Sequence, residues 1–194
     1  MATERLDIDA AHSGMHFSVK HLVVARVRGQ FRTWSGTILI PEDDLAHATV
    51  SVTIDAASID TGVAERDTHL KSADFLDVAT WPHITFEADD VDVERSERLK
   101  VAGNLTLHGV TRPVMLDVEF AGRTRDPWGH ERAGFSARTS INRSDFGLVW
   151  NQLIETGVVV VGERIDLEFE IEAVVQPAAA PAVEATPPLA ATVA

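Results

Sequence analysis

Apolar and polar residues alternate one for one in stretch after stretch of this 194-residue chain, and a period of two confines most of it to β-strands. The run from Ala48 to Asp55 is the clearest case. Ala48, Val50, Val52 and Ile54 fall on one side and Thr49, Ser51, Thr53 and Asp55 on the other, as in a strand with one face in water. The same rule puts Ser13, Met15, Phe17, Val19 and His21 on one face of an earlier strand. It puts Gly36, Ile38 and Ile40 on one face of a strand that Pro41 stops. Phe31 and Trp34 stand three positions apart and share a face only if a β-bulge lies between them. Later faces are Ile84-Phe86-Ala88, Leu99 to Leu107, Val114 to Phe120, Phe135 to Ile141 and Ile165 to Ile171. With the ambiguous run from Gly157 to Gly162 the count is eight or nine strands. Short connections such as Asp126-Pro127-Trp128-Gly129 join them, so the pattern predicts an all-β antiparallel sandwich or barrel.

One polar segment interrupts the alternation. From Thr61 to Leu76 the residues suit a short helix: Thr61 can cap it, Glu65 lies in the first turn, and Asp67 and Lys71 form an i,i+4 pair. Leu70, Ala73 and Leu76 give it one narrow apolar stripe to lay over the sheet. Pro82 then imposes an extended backbone on Trp81. The last eighteen residues, from Pro177, contain four Pro and eight Ala with no apolar period. They predict a disordered tail (177–194) on a single domain (1–176).

Composition narrows the function. Seventeen Lys and Arg against thirty Asp and Glu give a net charge of −13, which argues against a nucleic-acid backbone as partner. There is no Cys, hence no disulfide, thiolate metal site or Cys nucleophile. The opening MATERLDIDAAHSG lacks the basic and apolar stretches of an export signal, and no run approaches the ~18 apolar residues of a membrane span, so a cytoplasmic protein is expected. His12, His16 and His21 invite a metal reading. On a strand, however, the first two stand ~13 Å apart and the third points the other way, so no metal site is expected. No nucleophile elbow or Gly-rich phosphate loop is present, and no catalytic residue is assigned.

The segments LDIDAAHSGMHFSVKH, GQFRTWSGTI, SIDTGVAERDTHLKSADFLD, WPHITF, GNLTLHGVTRPVMLDV and INRSDFG occur in the order and spacing of the YceI-like family, and the chain resembles that family from about residue 5 to 175. The resemblance implies an antiparallel, lipocalin-like β-barrel of about eight strands with one short helix. It also implies a polyisoprenoid or other long-chain amphiphile held in an internal apolar tunnel. Many members are exported, a property this chain's opening does not carry. It has Leu6 where members often have an aromatic residue, and the tail lies outside the family pattern.

The residues support the same reading. A closed barrel of eight strands holds packed side chains or one small ligand. The expected lipid wall is Phe17, Val19, Phe31, Trp34, Ile38, Phe86, Leu105 and Phe135, with Gly36, Gly103 and Ala137 among them either leaving space or letting a bulky neighbour fill it. Sequestering ~15 methylenes yields roughly 12 kcal/mol gross. Much of that is lost to ordering, and micromolar affinity still needs no strong polar contact. At the barrel mouth His21, Arg66, His69 and Arg143 are head-group candidates, Arg143 first, because a guanidinium fork fits a diphosphate. The bland alternative has Arg66 and Arg143 tying helix to barrel, Arg143 through Asp145, with Asp67 and Asp145 structural. The expected partner is a long-chain isoprenoid-type lipid, a polyisoprenoid or an isoprenoid quinone. No further cofactor is expected, and a homodimer is compatible with the sequence. The rival functions are an enzyme on such a lipid, with His69 or His21 as acid/base, and an interaction module with a solid barrel.

Overall fold

The computed structural model describes residues 3–22, 25–41, 44–95, 97–151 and 160–177. Its strands in chain order are β1 (Thr3–Ile8), β2 (Gly14–His21), β3 (Ala25–Phe31), β4 (Trp34–Pro41), β5 (Thr49–Asp55), β6 (Ile59–Asp60), β7 (His83–Arg95), β8 (Arg98–Leu107), β9 (Val110–Arg125), β10 (Glu131–Asn142) and β11 (Val161–Gln176). The helix α1 (Ala64–Lys71) stands between β6 and β7. Every pairing is antiparallel, and the order β1-β4-β5-β7-β8-β9-β10-β11 closes on itself where Arg5–Ile8 pairs with Gln176–Ala173. The fold is therefore an eight-stranded closed barrel, with no open edge left around that ring.

Three of the eight staves are broken lines. β1 and β2 run in turn along one edge of β11, β3 and β4 run back along β2 and β1, and β5 continues into β6. The break at Arg32–Thr33 puts Phe31 and Trp34 on the same face, so an interruption of the strand does what a bulge was expected to do. β1 escaped the sequence reading because six residues with only Leu6 and Ile8 as apolar markers give alternation too short to recognise. The β8–β9 connection is a two-residue hairpin with His108 at φ 52° and Gly109 at φ 70°. Two left-handed positions match the twist of the strands, and glycine takes the second without cost.

The helix is shorter than the predicted 61–76. Its cap position is Val63, with no side-chain bond, because Thr61 is engaged elsewhere. The Thr61 hydroxyl and amide both donate to Asp67 Oδ1, at 2.5 and 3.0 Å, so Asp67 serves Thr61 in place of the expected Lys71. Beyond Lys71 the chain runs in turns, yet Leu70, Phe75 and Leu76 still point under the helix into the barrel. Opposite that end, Leu6, Ile40, Ala133 and Ala173 are at most 2% exposed and form a floor. Leu6 is fully buried in this floor. The expected tail (177–194) lies outside the described residues from residue 178 on, as does the first half of the ambiguous 157–162 run, of which β11 takes up the end.

Outside the floor, Arg132 gathers three carboxylates: Asp9 and Asp126 at 2.8 Å, and Glu172. The Arg132 guanidinium, and after it the His12 ring, hold the Asp9 carboxyl down to about 2. Burial alone would raise Asp126. Hydrogen bonds from Arg132, His130 and Trp128 outweigh it and hold that carboxyl well below the usual range. A depressed folded-state pKa stabilises above the unfolded value and loses that contribution as pH falls through the folded one. The barrel is thus expected to weaken between about pH 4 and pH 2, Asp9 contributing about 1 kcal/mol after solvent screening. Melting temperatures of wild type and Asp9→Asn should differ at neutral pH and converge near the bottom of that window. A constant gap across it would remove Asp9 from the acid response.

Candidate functional site

The inward faces do not fill the barrel. They leave a cavity of about 260 Å³ whose exposed surface is apolar. It runs from Leu70, Phe75 and Leu76 beneath the helix down to Leu45, Ala48 and Val91 near the floor. Along β11 its wall is Val161, Ile165, Leu167, Phe169 and Ile171. Ten residues of strand are about 33 Å, or about 25 Å along the axis at an ordinary barrel tilt. The space is long and narrow. Val114, Leu116 and Val118 on β9 face it and are only half-buried. The solid-barrel reading is corrected by this void.

The eight residues proposed from the sequence for a lipid wall all line this cavity: Phe17, Val19, Phe31, Trp34, Ile38, Phe86, Leu105 and Phe135. The small residues divide. A Cβ at Gly36 would lie 2.8 Å from the Ile8 side chain, and one at Gly103 would lie 2.5 Å from the Phe86 ring and 2.7 Å from the Glu87 carbonyl. At those two positions a bulky neighbour has taken the space. Ala137 is on the wall itself and faces the void.

The cations at the mouth are arranged differently from the sequence expectation. Arg143 is 2% exposed and uses all five of its N–H groups on the chain. Nε donates to Gly162 O (3.0 Å), Nη1 to Leu148 O and to Trp150 O (2.9 Å), and Nη2 to Val161 O (3.4 Å) and Glu163 Oε1 (3.0 Å). Its carboxylate partner is Glu163 and not Asp145, whose carbonyl instead accepts from Arg112. This fork clasps the segment after Phe146 to the start of β11 and leaves no N–H for a head group. Arg66 is likewise bound to Thr61, through Nε to Oγ1 (2.7 Å) and Nη2 to O (3.0 Å). His21 ends β2 opposite Val161 and Ala25, past the last β2 wall residue, Val19. His69 stands at the mouth with Nε2 2.9 Å from Asp74 Oδ2, edge-on to Phe75 at 5.1 Å and to Trp150 at 4.7 Å. Trp150 and the buried Leu148 went unnoticed in the sequence. Their one signal was an apolar pair, two apart, directly after the INRSDFG segment.

One cluster could hold a metal by geometry. Asp9, His12 and Glu172 bring ligand atoms within 4.8 Å of one another. Arg132 already bridges both carboxylates and supplies the charge a cation would bring. His12 lies in the bend before β2, so the strand spacing assumed for His12 and His16 does not apply. Among the described residues no helix is long and apolar enough to cross a membrane.

Residues 6–173 match the YceI-like domain. Protein YceI of Escherichia coli O157:H7 is 38% identical over 175 residues, covering 90% of this chain and 88% of that protein. Among solved structures, the YCEI protein of Campylobacter jejuni superposes with a TM-score of 0.69 at 32% identity, over 81% of this chain and 90% of the other. A polyisoprenoid-binding domain from Saccharophagus degradans shares the fold at a TM-score of 0.63 and 18% identity, over 91% of this chain and 99% of that domain. With a domain match along the whole barrel and relatives above a third identical, this chain belongs to the YceI-like family.

Proposed function

We propose that this protein binds a polyisoprenoid or similar long-chain amphiphile inside its barrel and carries or stores it. One observation supports this above the rest: an apolar cavity of about 260 Å³ inside a closed wall, with a lining that runs along β11 from Val161 to Ile171. Such a space has little use for a compact polar substrate and suits an extended hydrocarbon chain. The S. degradans domain, named for polyisoprenoid binding, has the same barrel. The tail occupies the lumen, and the head group stays near His69, Asp74 and Trp150, where the helix and the clasped segment meet.

Binding without turnover is favoured by the wall itself, which presents apolar surface along its length, while the His69–Asp74 pair sits at the rim. Native mass spectrometry of the purified protein, followed by extraction and lipid analysis, tests both points. The expected result is a stoichiometric long-chain lipid recovered chemically intact after prolonged incubation. Protein that carries none and takes up neither prenol, prenyl diphosphate nor isoprenoid quinone would refute the lumen as a lipid site. Conversion of the ligand would make the protein an enzyme.

A further inference from the structure

The chain is strongly acidic overall, yet one part of its outer wall is cationic. Strand register builds it. Lys20 on β2 pairs across from Arg26 on β3, and Ser18 lies between Arg28 on β3 and Asp166 on β11. One row further on, His16, Glu168 and Arg138 align across β2, β11 and β10. Lys20, Arg28, Asp166, Glu168 and Arg138 alternate with the wall residues Phe17, Val19, Leu167 and Ala137 and do not line the cavity, so they face outward. Arg26, Arg28, Arg138 and Arg164 line a shallow groove over the four strands. Its carboxylates are Asp117, Asp166 and Glu168, and Asp166 is held by Arg26 and Arg164, each at 2.8 Å. Lys20, Arg28 and Arg138 are exposed and enter no ion pair among the described residues.

The end of this face carries a second, independent oddity. Leu22, directly after β2, is 41% exposed at φ 54°, a left-handed backbone that leucine rarely adopts. Its amide donates to Val160 O at 3.0 Å, which fixes it beside the start of β11 and therefore beside the mouth. An apolar side chain held outward next to cations without partners complements a surface with phosphates above acyl chains. A soluble acidic protein or polyanion would match the cations and leave Leu22 without a role.

We propose that the face carrying Lys20, Arg26, Arg28, Arg138 and Arg164, with Leu22 at its tip, docks the barrel on an anionic bilayer and brings the mouth to the lipid surface. The proposal rests on the lipid-carrier reading, and its test is independent of cargo. Flotation is measured with vesicles of phosphatidylcholine alone and of equal parts phosphatidylcholine and phosphatidylglycerol, at low and high salt. The full chain should float with the anionic vesicles only, and high salt should release it. Arg28→Glu with Arg138→Glu should weaken this at least tenfold, Arg28→Gln with Arg138→Gln less, and Leu22→Ser measurably, all at unchanged melting temperature. Arg5→Glu, a single charge reversal near the floor, should bind as wild type, whereas Arg28→Glu alone, the same charge change on the face, should already weaken binding. Equal binding to both vesicle types, retention by the Glu pair, or equal loss in Arg5→Glu would overturn the proposal. So would binding of heparin without binding of vesicles, which would assign the face to a soluble polyanion. The lipid retained by each variant is read by mass spectrometry. Failed docking with cargo present sinks only this proposal, and intact docking with an empty lumen sinks only the carrier reading.

Discussion

Arg143→Ala is expected to destabilise the protein by about 3–5 kcal/mol, the range for breaking a buried, hydrogen-bonded charge. The guanidinium supports the carbonyls of Leu148, Trp150, Val161 and Gly162 together, and no other residue type offers five donors in a rigid fork. Arg143→Lys should therefore recover only a minor share. In a barrel of this size the loss corresponds to roughly 10 °C in melting temperature, read by thermal or denaturant unfolding. The ratio of affinities for a prenyl diphosphate and its neutral prenol should stay unchanged, since every N–H is already committed to the chain. A variant that melts with the wild type and loses only the diphosphate would return Arg143 to the head group.

The largest effect on binding should come from Ala137→Trp. Ala137 sits on β10 and lines the void, so an indole there is expected to project into the lumen and displace ligand. Excluding about four methylenes of contact amounts to ~3 kcal/mol, more than a hundredfold in Kd. Stability should hold, because the ring buries itself in the wall. The same change at Gly103 is a different experiment. Even a Cβ there meets the Phe86 ring and the Glu87 carbonyl below 3 Å, so Gly103→Trp should unfold the barrel. Isothermal titration on both variants, with melting curves beside it, separates a blocked lumen from a broken one. Undiminished affinity in a folded Ala137→Trp would move the ligand outside the barrel.

The wall was legible in the sequence because a strand states its inward face by parity alone. Phe17, Phe86, Leu105 and Phe135 needed no knowledge of their neighbours. The family segments then chose a barrel over a sandwich, which alternation leaves open. Partner choice was not legible. Arg143 read as a free fork for phosphate because its acceptors are backbone carbonyls up to nineteen residues away, and carbonyls leave no mark on a sequence. Thr61 likewise looked like a helix cap and turned out to be the link between Arg66 and Asp67. Gly103 looked like room for a ligand, and only the placement of Phe86 shows who occupies it.

The seam of the barrel joins the two ends of the domain, residues 5–8 to residues 173–176. Few contacts in a chain this long carry a larger loop-closure cost, and none of the intervening strands can substitute for it. A ribosome must release the chain through Gln176 before the ring can exist, so the lumen has no half-made closed form. Cargo therefore meets either an open-sided sheet during folding or a finished tube afterwards. The first route admits a lipid sideways, with no threading of its tail past the clasped mouth.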